Sequence, residues 1–434
     1  MKAMRAMRPF TFAPWAALAL AACASEPGAA PSSQDSGALP ADDAAAPSPD
    51  GGAVETSPDS SIQPTESNDS AAPPSEGPAE DAGPLAKGHA PEGPADSAPT
   101  IDSGPPQSPP PAGDAGPTGG CNGSSSSALV GWASVDGMGV ASTTGGAGGS
   151  MVTVSTLADF NTNAGGTTAR IIQVSGTISG SVTVGSNKTI VGLCGAEVHG
   201  HIQMTGSVNV IVRNLRVVGY NCTDNTSDCS AGADAITVER MAHHLWFDHD
   251  DISDGSDGNL DITHACDFVT VSWTKFHYSG RRTDPAGASG GHQFSNLIGH
   301  SDSNASEDTG HLTVTFHHDW WADNVVERMP RVRFGRVHLF NNLYTAVGDD
   351  YCIGVGVSAN IRDENNVFVG VKNPIDSTSY SNGASILQTS GDLDQMTSGT
   401  TQGVGGNAFM PPYTYSLEAT SGLQTEVQNG AGPH

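Results

Sequence analysis

Four arginines, Arg328, Arg331, Arg333 and Arg336, fall within nine residues of the stretch E-R-M-P-R-V-R-F-G-R-V-H-L-F-N-N at 327–342. The chain around them is acidic, with 46 Asp and Glu against 18 Lys and Arg and a net charge of −28. Guanidinium groups hold carboxylate or phosphate through paired hydrogen bonds, so a cationic cluster here suits an anionic ligand. Two other stretches gather carboxylates. G-A-D-A-I-T-V at 232–238 carries Asp234, and S-D-G-S-D-G-N-L-D-I-T at 253–263 carries Asp254, Asp257 and Asp261. Fully extended, Asp257 and Asp261 stand about 13 Å apart, too far to share one ion bound at about 2.3–2.6 Å. Gly258-Asn259 is turn chemistry, and a bend there brings the two together. Asp234 precedes Asp257 by 23 residues and stacks beneath the pair if a coil has that length. Hard oxygen donors with no His or Cys beside them favour Ca2+ over zinc or copper. Two readings stay open: an anion and calcium site, or aspartates decorating turns beside a solvated edge strand of arginines.

The elements that must position these residues are strands. Val332, Phe334, Val337 and Leu339 recur as in a strand with one buried face, which puts Arg331 and Arg333 together on the outward face. Arg328 has the wrong parity for that face unless the chain turns first, and Pro330 is the place for the turn. Almost everything beyond residue 164 is short, rich in Val, Ile and Thr, and punctuated by Gly or Asn. A turn-plus-apolar signature recurs at Asp250-Asp-Ile252, Thr274-Lys-Phe276, His318-Asp-Trp320, Asn342-Leu-Tyr344 and Asn366-Val-Phe368. The intervals are 24, 44, 24 and 24 residues, the long one holding a Gly/Ser/Asp-rich insertion at 279–306. A period in the low twenties built from short strands marks a solenoid in which each turn buries its face on the next. The spaced leucines of leucine-rich repeats are missing. An all-β, right-handed, single-stranded parallel β-helix is expected, with a short capping helix at 155–163, N-capped by Ser155, over its N-terminal end.

Composition divides the chain into three. Residues 1–23 read as a secretion signal, with Lys2, Arg5 and Arg8 before an apolar run too short for a permanent span. L-A-A-C at 20–23 is the pattern of a bacterial lipoprotein cleavage site and makes Cys23 a lipid anchor; a plain signal peptide is the alternative. Residues 24–120 carry 16 acidic residues and one basic one among Ala, Pro, Ser and Gly. Such a segment buries too little apolar surface to offset its chain entropy and reads as a disordered tether. Residues 121–434 form one domain with a large core and a net charge of −16, which argues against nucleic acid as a ligand. Export permits disulfides, and Cys222 with Cys229, joined by a short polar loop, form the expected pair. No C-x-x-C pairing suggests zinc. The domain is expected to act as a monomer, touching a membrane only through the anchor.

These stretches resemble the pectate lyase family of parallel β-helix polysaccharide lyases, which also includes pectin lyases. The resemblance rests on L-W-F-D-H at 245–249, D-G-N-L-D-I-T-H at 257–264, V-T-V-S-W-T-K-F at 269–276, N-L-I-G-H-S-D at 296–302 and R-M-P-R-V-R at 328–333. They occur in the family's order and cover most of residues 131–430. The resemblance implies a catalytic arginine at Arg328, a substrate-binding arginine at Arg333 and calcium carboxylates at Asp234, Asp257 and Asp261. Two positions depart from the pattern. Gly232 stands where some members have a further calcium-side Asp, and Phe294 stands where many have a substrate-binding Lys. The lost cation points to tolerance of methyl-esterified pectin, or to Arg281 and Arg282 of the insertion as substitutes.

The activity implied is calcium-assisted β-elimination on polygalacturonate, in which a base takes the C5 proton and the C4–O bond breaks. Free guanidinium, with a pKa above about 12, is a poor base near neutrality. Arg331, Arg333 and a metal are expected to depress Arg328. Three other activities fit parts of the chain: a pectin lyase acting on esterified substrate, a hydrolase whose centre is carboxylates alone, and a non-catalytic pectin-binding surface protein.

Overall fold

Short apolar runs, each closed by a residue in the left-handed backbone region, wind this chain into coils. The computed structural model describes residues 127–220, 234–280 and 292–434. Successive coils pair in parallel and present three faces. The first is a ten-stranded sheet that includes His243–Asp248, Asp267–Ser272, Thr313–His317 and Arg336–Phe340. The second face includes Asp251–Ser253, Lys275–His277, Trp320–Trp321 and Leu343–Tyr344. The third includes Ile236–Glu239, Leu260–Ile262, Leu297–Ile298, Arg331–Val332 and Ile353–Val355. The long strand Glu197–Thr205 pairs with the second face through its first half and the third face through its second half. The result is the parallel β-helix expected from the repeats. Among the described residues no helix is long and apolar enough to cross a membrane.

The turn from first to second face explains the repeat and corrects its phase. Asn214, His249, Trp273, His318, Asn341 and Asn365 each occupy it at φ 52–57°. The residue that follows each one faces inward and ties one coil to the next. The Thr274 N–H donates to Asp319 Oδ1 at 2.8 Å, the Asp319 N–H to Asn342 Oδ1 at 2.9 Å, and the Asn342 N–H to Asn366 Oδ1 at 2.7 Å. The equivalent of Asn342 is therefore Asp319 rather than His318, which aligns with Asn341. The central intervals become 45 and 23 residues (319 − 274, 342 − 319). Beyond this turn Ile252, Phe276, Trp321, Tyr344 and Phe368 stack in register and are all but fully buried. Ring centroids of Trp321–Tyr344 and Tyr344–Phe368 lie 4.6 and 4.3 Å apart, so each coil buries an aromatic face on the next.

The N-terminal helix is Leu157–Ala164, and its N-cap is Thr156, one residue later than expected. Thr156 Oγ1 accepts the Asp159 N–H at 3.1 Å and donates to the Asp159 carboxylate at 2.8 Å, a capping box that Ser155 is one residue too early to make. Phe160 and Ala164 are buried against Arg170–Val174 and Thr177–Thr183, the early coils. A C-terminal helix, Thr420–Gly430, sets Leu423 and Val427 on Leu343 and Val367 of the second face. The expected Cys222–Cys229 pair lies outside the described residues, as does Cys23. Cys194 is disulfide-bonded, while Cys266 and Cys352 are buried free thiols.

Candidate active site

The strand Arg331–Val332 is interior to the third face, paired with Leu297–Ile298 on one side and Ile353–Val355 on the other, so it is no solvated edge. Val332 points inward and is fully buried. The chain bends at Met329-Pro330, as the parity of Arg328 requires, and Arg328 itself lies at φ 61°. A backbone conformation this uncommon for a long side chain is held in place by its surroundings. The Ser295 and Asn296 amides do so here, donating to the Glu327 and Arg328 carbonyls at 3.0 and 2.6 Å.

Outside this face lies an open cavity of about 380 Å³, lined among others by Asp234, Asp257, Asp261, His300, Arg328 and Arg333. All five residues expected at the site thus meet in one groove. Their stacking differs from expectation in one respect. The Ala235 N–H donates to the Gly258 carbonyl and Ile236 pairs with Leu260, so Asp234 stands beneath Gly258 instead of Asp257. A Cβ on Gly258 would lie 2.7 Å from Asp261 Oδ1 and 3.1 Å from Asp234 Oδ1. The two carboxylates therefore converge over the one position with no side chain.

Each carboxylate is held separately. Asp261 Oδ1 accepts the Leu297 N–H at 2.9 Å, and Asp234 Oδ2 accepts from Thr237 Oγ1 at 2.7 Å, while Asp234 Oδ1 is buried with no hydrogen-bond partner. Asp257 faces His292 at 3.3 Å and is partly exposed. Burial pushes Asp261 up to about 7, with Asp257 adding to the rise and Arg328 opposing it. Burial likewise raises Asp234 well above the carboxylate range, reinforced by Asp261 and Asp257. For Asp257 burial also acts upward, but the His292 hydrogen bond and Arg328 hold it below its ordinary value.

Among the described residues no three acidic, imidazole or thiol groups already enclose a metal position. The donors nonetheless fit a calcium ion. They are all oxygens, one is buried and unpartnered, two converge over a glycine, and mutual repulsion is what a divalent cation relieves. Asp234 and Asp261 would form the inner pair and Asp257 the outer member, with water and ligand oxygens completing the six to eight that calcium takes.

The arginines have separate surroundings. Arg328 is half-buried, its Nε without a hydrogen-bond partner, and its Cζ lies 4.1 Å from the centroid of the Phe294 ring. Arg333 donates through Nε to Asp302 at 2.5 Å and through Nη1 to the carbonyls of Gly299 and His300 at 2.9 and 3.3 Å. Only its Nη2 faces no protein acceptor. Arg331, expected beside Arg333, instead lies over the Tyr380 ring at 3.7 Å and does not line the cavity. The expected depression of Arg328 is reversed. Burial lowers it, but Asp261 and Asp257 outweigh that and leave it above the ordinary arginine value. Carboxylates beside it, without a cation between them, dominate over the neighbouring arginines.

Gly258, Thr237, His292 and Asp302 belong to the site and were missed from the sequence. Thr237 had a signal, since a hydroxyl three residues after an Asp can reach its carboxylate. His292 and Asp302 had none, because their partners lie 35 and 31 residues away.

Residues 121–434 match the family described as Pectate lyase. Pectate lyase E of Dickeya chrysanthemi is 33% identical over 372 residues, which cover 71% of this chain and 90% of that protein. Pectate lyase A of Aspergillus niger is 35% identical over 319 residues, covering 71% and 88%. Probable pectate lyase B of Aspergillus flavus is 40% identical over 228 residues, half of this chain, and the chain spans only 61% of that relative's length. Among solved structures, a pectate lyase bound to hexasaccharide aligns with TM-score 0.55 at 25% identity, over 70% of this chain and 96% of that one. A pectate lyase from Bacillus sp. N165 in complex with trigalacturonate shares the fold, with TM-score 0.55 at 22% identity over 70% and 99%. The family match spans far more than half of the sequence, and the chain belongs to the pectate lyase family.

Proposed function

We propose that the chain cleaves polygalacturonate by β-elimination, with Ca2+ held by Asp234, Asp257 and Asp261 and an unsaturated sugar end as product. The observation that carries this reading is the convergence of Asp234 and Asp261 over Gly258 in the groove lined by Arg328 and Arg333. Every sugar of the polymer bears a carboxylate, and the C5 proton beside it is weakly acidic. Bound calcium would offset the charge that develops on that carboxylate when the proton leaves. Arg333 offers Nη2 to a neighbouring carboxylate while Asp302 and Gly299 fix its plane. Arg328, as the neutral guanidine, takes the C5 proton; the C–H electrons form the C4–C5 double bond, and the C4–O pair leaves with the glycosidic oxygen, which solvent protonates. Asp257 and Asp261 hold Arg328 protonated, so turnover requires their charge to be neutralised and rises toward alkaline pH.

A second reading, action on methyl-esterified pectin, is favoured by Phe294, which is half-exposed beside Arg328 where a cation would grip a free carboxylate. Secretion by residues 1–23, a lipid anchor at Cys23 and a monomeric state are part of the same proposal. The test is incubation with polygalacturonate while following both near-ultraviolet absorbance and new reducing ends. Elimination makes the two rise together. New reducing ends without absorbance would mean hydrolysis, and neither would mean a binding protein.

A further inference from the structure

We infer that Phe294 is the positioning residue for the Arg328 guanidinium, holding it by the face of its ring. This rests on the reading of Arg328 as the group that meets the substrate.

Phe294 is fixed from both sides by backbone. It bridges in parallel to Gly258 of the coil before and to Glu327 of the coil after, and its carbonyl accepts from the buried Tyr278 hydroxyl at 2.8 Å. The ring therefore stands between the glycine over which Asp234 and Asp261 converge and the residue preceding Arg328. The guanidinium lies over it, Cζ to centroid 4.1 Å, well inside the roughly 6 Å range in which a ring face attracts a cation. No other described group takes hold of Arg328: its buried Nε has no hydrogen-bond acceptor, and no carboxylate stands within ion-pair distance. Arg333, by contrast, is tied through two nitrogens to Asp302, Gly299 and His300.

That contrast has a chemical consequence. A hydrogen bond or ion pair would keep Arg328 charged and occupy the nitrogens that must reach C5. A ring face fixes the plane of the group and leaves its Nη atoms free. His292, whose ring centroid lies 4.8 Å from that of Phe294, backs the ring and faces Asp257. The aromatic pair thus links one candidate calcium carboxylate to the orientation of the arginine.

The experiment compares wild type with Phe294→Leu, which removes the ring face, and Phe294→Tyr, which keeps it. It reads kcat and KM on polygalacturonate, melting temperature, and the Arg328 Nε–Hε nuclear magnetic resonance signal, identified by its loss in Arg328→Lys. A misplaced reacting group costs up to about 100-fold, so Phe294→Leu should lose roughly 10–100-fold in kcat with KM within about threefold. It should melt near wild type, and its Arg328 signal should lose the upfield shift that a ring face imposes. Phe294→Tyr should keep that shift and most of kcat. Wild-type kcat in Phe294→Leu, an unmoved Arg328 signal, or equal losses in both variants would overturn the inference. Should the leucine variant not fold, Phe294→Met takes its place with the same expected results. If wild type does not cleave polygalacturonate, the elimination reading fails, and the Arg328 signal alone still decides whether Phe294 holds the guanidinium.

Discussion

Gly258 and Asp261 stand in a steric relationship that the backbone imposes: a Cβ at 258 would lie 2.7 Å from Asp261 Oδ1, and 3.1 Å from Asp234 Oδ1 as well. Gly258 lies outside the left-handed region, so the demand for glycine here is one of space and not of backbone conformation. Gly258→Ala should therefore fold with a near wild-type melting temperature yet splay the two carboxylates. Displacing metal ligands through a neighbour typically costs roughly 10–100-fold in affinity. The calcium needed for half-maximal activity should rise by that factor, measured by titrating calcium into chelated protein. An unchanged requirement would separate these carboxylates from the metal.

Arg328→Lys and Arg333→Lys should divide the kinetic constants between them. A general base contributes about 10²–10⁴-fold, so kcat of Arg328→Lys should fall by that much while substrate still binds. Lysine cannot reproduce the fork that joins Arg333 to Asp302, Gly299 and His300. Its replacement should raise KM by roughly tenfold and lower kcat far less. Steady-state kinetics on folded variants reads both, and near wild-type kcat in Arg328→Lys would remove the base assignment.

The turn column supplies a prediction about stability independent of the groove. Burial raises Asp319 well above the carboxylate range, and it pushes Asp392 up to about 7. The unfolded chain ionises these carboxyls above about pH 4, whereas the folded chain keeps them protonated. Their contribution is complete below that pH and drains away as pH rises through about 7. Asn342 and Asn366 fill equivalent positions and donate from Nδ2 to the Phe316 and Leu339 carbonyls, whereas Asp319 Oδ2 is buried without a partner. Asp319→Asn should thus raise the melting temperature at pH 8 by roughly 2–4 °C and change it little at pH 4. Thermal unfolding at the two pH values checks this; a loss at both would show that the carboxyl makes contacts an amide cannot.

The coil period and the groove's five residues were legible because they follow from local pattern. Asn342 and Asn366 recur at coil length, and the turn around Gly258 is written in neighbouring residues. What the sequence hid depends on phase and on distant partners. His318 looked equivalent to Asn342 because both precede an apolar residue by two, and only strand register shows that His318 makes the turn while Asp319 takes the inward place. The same one-residue phase error set Asp234 beneath Asp257 instead of Gly258. Strand parity placed Arg331 and Arg333 on one face, but parity says nothing of where a long side chain goes. Tyr380 draws one away and Asp302 holds the other. The electrostatics of Arg328 reversed for a similar reason, since the carboxylates that raise it are neighbours only across coils.

The most direct measurement is near-ultraviolet absorbance during incubation with unesterified polygalacturonate, first with a chelator and then with calcium restored. The pairing of Asp234 with Asp261 over Gly258, opposite Arg328, predicts no absorbance rise in chelator and full recovery when calcium returns. It also predicts that Asp261→Asn needs more calcium for the same rate. Undiminished formation of unsaturated product in chelator would contradict the account and move the chemistry away from these aspartates.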